Sequence, residues 1–306
     1  MVEPQQGMTY ERLVHVGRLA RELGLEGIFR SDHYQPLGGE AADEPATDAW
    51  ATLAGLVRDL ADGVVGTLVS PVTFRHPGQL AKVVATVAHM SAGPTVELGL
   101  GTGWNEAEHK AYGFSFGTFG DRFRVLAEYL PVVKALLSGE EVSFEGEVYT
   151  LVPVRNRPAA PDVRIIVGGG GPRRTPRLAA RYADEMNVTF MPPDVVGQRV
   201  ETCKKFMADA GRDPSTFTFS WMGQFLIGRG EDDLRDRAGR LGSSRGAEAD
   251  RVLGRLRGAG PVGMVDEAAA FLRKLADVGV TRVMLQHLMT DDDDHLALAA
   301  DAAAAV

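Results

Sequence analysis

The sequence has a single cysteine, Cys203, so no disulfide can form within the chain. It falls on the apolar stripe Val196, Val200, Cys203, Met207 and Ala210, the position of a small core side chain rather than of a reactive thiol. No apolar run is long enough to span a bilayer and no leader-like segment is visible, which points to a soluble, cytoplasmic protein. Positive charge is scarce as well: 33 Lys and Arg against 41 Asp and Glu leave a net charge of −8. That balance gives no electrostatic footprint for nucleic acid or for an anionic membrane, so any anionic ligand has to be held by local arginines and backbone N–H groups. Metal-ligand spacing is missing, as are a serine nucleophile elbow and the dinucleotide glycine fingerprint. Chemistry in such a chain is expected to be carried by a bound organic cofactor, with no metal.

Glycine, by contrast, is abundant, at 36 residues, which suits many tight strand-to-helix turns. Short apolar runs alternate with longer helical periods along the chain. Gly27–Arg30, Val64–Val69, Val96–Leu100, Arg164–Val167, Glu185–Val188, Phe217–Ile227 and Val283–Gln286 read as strands, with amphipathic helices between them. Counting the residues around Glu3 as a first strand gives eight. The fold expected is therefore an α/β protein, one (β/α)8 TIM barrel over residues 1–306, with an open doubly wound sheet as the alternative. Only Met1, Val2 and Glu3 precede Pro4, where a barrel strand needs about five residues. A misplaced start and a frayed first strand are the two readings of that shortness. Val142–Leu151, with Glu145-Gly146 at its centre, reads as an inserted β-hairpin. Pro131 is expected to kink or split the helix over Asp121–Leu137, and Arg229–Gly263, rich in Arg, Asp and Gly, is expected to be a mobile insertion.

Barrel enzymes place function at the C-terminal ends of their strands. One strand ends in Arg30-Ser31-Asp32-His33-Tyr34, which sets an imidazole, the side-chain type suited to acid–base work near neutral pH, beside a carboxylate; a capped loop with a structural histidine is the plainer reading. The next ends in Gly66-Thr67-Leu68-Val69-Ser70-Pro71, whose Gly and Pro mark a bulge or bend. The third ends in Gly99-Leu100-Gly101-Thr102-Gly103-Trp104, and its alternating glycines leave room for a flat ring against the backbone. The strongest local signal is Gly168-Gly169-Gly170-Gly171-Pro172-Arg173-Arg174, where bare N–H groups at a helix start and two arginines are expected to make a phosphate site, with a flexible turn as the plainer alternative. Of the remaining polar groups, His109 with Glu106 is expected to face the helix surface or brace a loop. The acidic run Asp291–Asp294 is expected to cap the last helix.

Taken in order, five stretches resemble the luciferase-like monooxygenase superfamily, and within it the F420-dependent oxidoreductases. They are Glu3-Pro4-Gln5-Gln6-Gly7, Phe29–Tyr34, Thr67–Arg75, Glu97–Trp104, and Gly168–Pro172 continued through Arg181-Tyr182-Ala183-Asp184. The resemblance implies a barrel that holds coenzyme F420, or alternatively FMN, at its C-terminal mouth, acting on a small-molecule substrate as a homodimer. It implies catalytic roles for His33 and for Asp32, which would orient it. It places a cis peptide at Leu68–Val69 behind the ring, Thr102 and Gly103 beside the ring, and the phosphate on Gly168, Gly169, Gly170 and Gly171, with Arg173, Arg174 and Arg177 beyond. The function implied is hydride transfer in C=C or C=N reduction or in alcohol oxidation. An FMN monooxygenase and a non-catalytic cofactor-binding member are the alternatives. The chain departs from F420-dependent sugar-phosphate dehydrogenases at Leu37, where they carry Trp, and at Trp104, where they carry Glu, so sugar-phosphate oxidation is not expected.

Overall fold

Strand and helix alternate along most of the computed structural model, which describes residues 1–37, 44–243 and 247–306. The strands are β1 (Gly27–Arg30), β2 (Val64–Pro71), β3 (Thr95–Gly101), β4 (Glu141–Glu145), β5 (Thr150–Arg155) and β6 (Arg164–Gly168). They continue with β7 (Glu185–Thr189), β8 (Thr218–Gln224), β9 (Leu226–Ile227), β10 (Val262–Gly263) and β11 (Arg282–Gln286). The helices are α1 (Tyr10–Glu22), α2 (Ala49–Asp59), α3 (Pro77–Met90), α4 (Glu106–Tyr112), α5 (Phe119–Ser138) and α6 (Arg174–Tyr182). After these come α7 (Pro193–Asp209), α8 (Glu231–Ser243), α9 (Ala249–Leu256), α10 (Val265–Asp277) and α11 (Asp293–Ala304).

Seven strands form one sheet in the order β1-β2-β3-β6-β7-β8-β11, every neighbour parallel. The gap between β1 and β11 is closed by Met1–Glu3. Val2 N–H donates to the Phe29 carbonyl oxygen at 2.8 Å, and Ser31 N–H donates to that of Val2 at 3.3 Å. On the other side Met1 donates to Leu285 O at 3.0 Å, and His287 N–H to Met1 O at 2.8 Å. The short first segment is thus paired on both sides rather than frayed, and the nearly closed barrel has the TIM-barrel form. Pro4 is what keeps it from being a full strand, since proline has no N–H to extend the ladder.

One inserted feature is found as expected, and three expectations are not met. The Val142–Leu151 hairpin is present as the antiparallel pair β4 and β5. Pro131 does not end α5, which runs as one helix over twenty residues. Leu126, Tyr129 and Leu130 before it and Val132, Val133 and Leu136 after it are all buried. At about 1.5–3 kcal/mol per buried side chain this outweighs the roughly 3 kcal/mol that an interior proline costs. The strand expected over Phe217–Ile227 is interrupted at Phe225, whose ring stacks on His295 at 4.2 Å, and β9 pairs with β10 in a separate small sheet. The segment expected to be a mobile insertion instead supplies α8 and α9, packed around Leu226, Leu234, Ala238, Leu241, Val252 and Leu253; its residues 244–246 lie outside the described part. Its apolar positions recur at helical spacing, diluted by charge. One of those charges, Arg237, is itself buried and pairs with Asp233, Asp292 and Asp294. The acidic run does cap α11: Asp292 accepts from His295 N–H at 2.9 Å. Cys203 is fully buried, and burial pushes its thiol up to about 12. Among the described residues no helix is long and apolar enough to cross a membrane.

Strand parity sorts side chains between two cores. Val65, Val96, Leu98, Leu100, Ile165, Val167, Met186, Val188, Phe219 and Trp221 point outward and join the core under the helices. Phe29, Leu68, Ile166, Met222 and Met284 fill the barrel interior. Below them, at the N-terminal end, the Arg282 guanidinium bridges Glu97 at 2.6 Å and Glu185 at 2.8 Å, and reaches Glu26 at 2.8 Å. Burial works against the Arg282 charge, but Glu185 and Glu97 outweigh it and hold it above its ordinary range. Burial likewise raises the Glu97 carboxyl, despite Arg282.

This floor is a largely buried arginine shared by two buried glutamates, and its removal strands charge. Arg282→Met should cost about 3–5 kcal/mol in urea unfolding at neutral pH. With the folded-state pKa of Glu97 already raised by burial, the unfolded chain gives up that proton first, so the penalty grows as pH rises through the ordinary carboxyl range. The variant should therefore recover part of its loss as pH falls toward about 4. A loss under about 1 kcal/mol, or one independent of pH, would show the floor to be dispensable.

Candidate functional site

The site is built around an irregularity in β2. Its register against β3 shifts between Thr67 and Ser70, and the Leu68–Val69 peptide is cis, at the position the resemblance indicated. The bulge turns Val69 toward three glycines. A β-carbon on Gly101 would lie 2.7 Å from Val69 Cγ2, one on Gly168 2.7 Å from Cγ1, and one on Gly99 3.1 Å from Cγ1. Gly101 and Gly168 thus make room first of all for Val69, whereas a β-carbon on Gly99 would meet the Thr67 carbonyl oxygen first, at 2.2 Å.

At the C-terminal mouth opens a cavity of about 370 Å³, within the range of small-molecule sites. It gathers His33, Leu68, Val69, Thr102, Gly103, Gly168 and Gly169 from among the residues singled out in the sequence. Asp32, Gly170, Gly171, Arg173 and Arg174 are not on its wall. Gly170 packs toward Met191, and its carbonyl accepts from Arg199 Nε at 3.1 Å. Arg173 and Arg174 are exposed at the start of α6, where Arg173 is the N-cap and forms no side-chain cap. Arg174 lies over the Phe123 ring, 5.6 Å from its centre. Trp104 is 66 % exposed at the rim and meets His33 edge-on at 5.8 Å.

The expected pairing of Asp32 with His33 is not formed. Asp32 takes two bonds from Arg75, at 2.5 and 3.2 Å, and one from Ser70 Oγ at 2.7 Å. Ser70 in turn accepts from Trp50 Nε1 at 3.0 Å, and Arg75 also reaches Asp48 at 2.7 Å. Burial opposes the Arg75 charge, yet Asp32 holds it above its ordinary range. Asp32 is therefore a buried brace behind the bulge. The carboxylate on His33 is Glu108, fully buried in α4, with Oε2 2.7 Å from His33 Nδ1. Its Oε1 accepts from the N–H groups of Tyr34 and Gln35. These three contacts fix the His33 ring with Nδ1 engaged and Nε2 left for a ligand. His109 is buried rather than on the helix surface. It braces two loops, with Nδ1 on Asn105 O and Nε2 on Thr73 Oγ1, both at 2.7 Å.

Sequence reading missed Glu108, which lies 75 positions from its partner. It missed Asn187, Thr189, Met222 and Gln286 as cavity residues too, although each occupies an inward position near a strand's C-terminal end. Strand parity was the signal that could have found them. Among the described residues no group of three or more His, Cys, Asp or Glu is placed to hold a metal ion.

The family model for luciferase-like monooxygenases matches residues 1–284. The chain belongs to the luciferase-like monooxygenase family. Within curated relatives, this luciferase-like protein is 30 % identical over 230 residues to an F420-dependent glucose-6-phosphate dehydrogenase of Microbacterium testaceum, covering 72 % of this chain and 61 % of the relative. It is 37 % identical over 168 residues to the same-named protein of Nakamurella multipartita, covering 54 % and 48 %. The matches thus span about half to three fifths of those relatives' length. Its fold is similar to that of an F420-dependent secondary alcohol dehydrogenase solved with an F420–acetone adduct, with a TM-score of 0.81 at 17 % identity over 98 % of this chain and 96 % of that one.

Glu108 satisfies two backbone N–H groups and one imidazole where no solvent reaches. Glu108→Ala should lower the unfolding free energy by about 1–3 kcal/mol, because buried donors lose their acceptor. Glu108→Gln, whose amide oxygen still accepts, should lose distinctly less. Equal melting curves for both variants and the parent would show that the dyad does not hold the loop after β1.

Proposed function

We propose that this luciferase-like barrel is an F420-dependent oxidoreductase, moving a hydride between the deazaflavin and a small organic substrate by C=C or C=N reduction or alcohol oxidation. The observation that carries the reading is the mouth cavity, which brings the bulged strand, the bare glycines and His33 into one space. The F420-dependent names of the curated relatives support the choice of cofactor.

The residues present fit that group. Leu68, Val69, Thr102 and Gly103 offer a wall of small side chains and backbone to a flat ring. Gly168 and Gly169 bring bare backbone to the cavity edge, and Gly169, at φ +152°, adopts a conformation that side chains disfavour. The uncapped start of α6 presents its dipole to a phosphate. Arg173, Arg174 and Arg177 form no ion pair among the described residues, so they can meet the further anionic groups of the F420 tail. When bound, F420 supplies hydride chemistry at its ring. His33 is the residue to hold or move a proton. With Nδ1–H donated to Glu108, its Nε2 takes a proton from a ligand and, once charged, returns it. Glu108 is the positioning residue for that ring, and Asp32, through Arg75 and Ser70, fixes the bulge behind it.

Titration of the purified protein with F420 and with FMN tests the cofactor. F420 should bind, with affinity falling clearly from low to high salt as its tail is screened from the arginines, and Arg174→Ala should flatten that dependence. Tight FMN binding without F420 binding would make the protein an FMN-dependent monooxygenase instead, and binding of neither would favour a non-catalytic member. His33→Ala should leave F420 affinity within a few-fold while lowering turnover roughly 10²-fold. Undiminished turnover would make His33 structural.

A further inference from the structure

Side chains alternate between the two faces of a strand, and β7 keeps that order to its end. Glu185 points inward to the floor, where it meets Arg282, and Asn187 and Thr189 line the mouth cavity. Met186 and Val188 point outward into the core under the helices. A strand continued by one more residue would turn Phe190 outward as well. Instead Phe190 lines the cavity. Its backbone is the reason: at φ +55°, it is the only residue other than glycine with a positive φ among the described residues.

That conformation is unfavourable for a bulky residue, because the β-carbon crowds the following carbonyl oxygen, and it persists only where the surroundings enforce it. They do so here. Phe190 N–H donates to Met222 O at 2.8 Å, and the Met191 carbonyl accepts from Trp221 Nε1 at 2.9 Å. Both partners lie on β8, the neighbouring strand, so the turn is fastened along the sheet. Burial does not account for the arrangement, since the ring stays 50 % exposed. A strained backbone therefore holds an aromatic ring at the mouth without the reward of core packing. Trp104, 66 % exposed, stands on the same wall beyond β3, and Leu37, Leu68, Val69, Pro71 and Met222 are the other apolar side chains on it.

We propose that Phe190 is a specificity-determining residue, whose ring stacks on a flat unsaturated ring of the substrate, so that the site selects aromatic compounds over saturated ones of the same skeleton. Aromatic rings pair in offset or edge-on geometries that a puckered saturated ring cannot match. Covering a half-wet ring with a ligand also removes apolar surface from water on both sides. Because the backbone already sets where this ring stands, little freedom is lost when a ligand meets it. The use of this contact in catalysis rests on the oxidoreductase reading; the binding preference does not.

The test uses the whole chain. 2-Naphthol and its saturated counterpart decahydro-2-naphthol, alike in carbon skeleton and hydroxyl, are titrated by calorimetry with and without F420, and F420 binding is measured separately. The aromatic probe should bind about fivefold more tightly or better, the scale of one aromatic pair. Phe190→Tyr should keep that ratio and Phe190→Leu should reduce it to within about twofold, with F420 affinity unchanged in both. Should Phe190→Leu fail to fold, the ratio is read on Phe190→Asn, which also separates a ligand role from a structural one. Asparagine accepts a positive φ more readily than phenylalanine, so this variant should melt at or above the parent's temperature while the preference is lost. A parent without the preference, a preference that survives loss of the ring, a Phe190→Asn protein that melts clearly lower, or an F420 affinity that falls along with naphthol binding each overturns the proposal. A preference for 2-naphthol in a protein that binds no F420 would sink the oxidoreductase reading and leave this one standing, and F420 binding without the preference would do the reverse.

Discussion

Room inside the barrel is the constraint on which the rest depends. A ring of this size leaves an interior just wide enough for side chains to fill, and the inward positions of the strands compete for it. Phe29, Ile166, Met222 and Met284 take the middle. Above them Val69 is pushed in by the bulge in β2, and it fits because Gly99, Gly101 and Gly168 have no β-carbon to meet it. The cavity exists where this filling stops. Its floor and its bare backbone edge are both consequences of which inward positions carry a side chain.

Two buried ionic systems hold the ends of that filled space. At the N-terminal end Arg282 joins strands β3, β7 and β11 through Glu97 and Glu185. At the mouth Arg75 and Asp32 lock the bulge from behind, and Glu108 locks His33 from the side. The two arginine systems work by giving a buried charge a partner of opposite sign, and Glu108 by collecting the imidazole and two backbone N–H groups, so each is more a device for fixing geometry than a source of stability. The result is that a histidine near the rim keeps one nitrogen occupied and one available, which is what proton transfer to a bound ligand requires.

The cavity wall of this chain is mostly apolar, and most of its polar groups are neutral. Leu37 and Trp104 line it, and the lone carboxylate Glu3 stands among neutral groups. A fold and a cofactor slot can be common to a family while the substrate corner is rewritten by a handful of side chains on strand ends and loops.

Alternation of strand and helix, the hairpin between α5 and β6, the cap of α11 and the core position of Cys203 were all legible in the sequence, because each follows from local periodicity or from contacts a few residues apart. So were His33, the bulge and the first half of the glycine run, because strand ends in a barrel share one face. Three features were not. Pro131 stays within a helix because burial on both sides of it outweighs the missing bond, a balance set by α5's neighbours. The Arg229–Gly263 stretch folds because α8 and α9 bury their sparse apolar residues against each other. Finally, the partner of His33 is Glu108 and not the adjacent Asp32. Neighbouring residues leave a strand end in different directions, so only the tertiary structure could bring α4 beneath the histidine and turn the aspartate to Arg75.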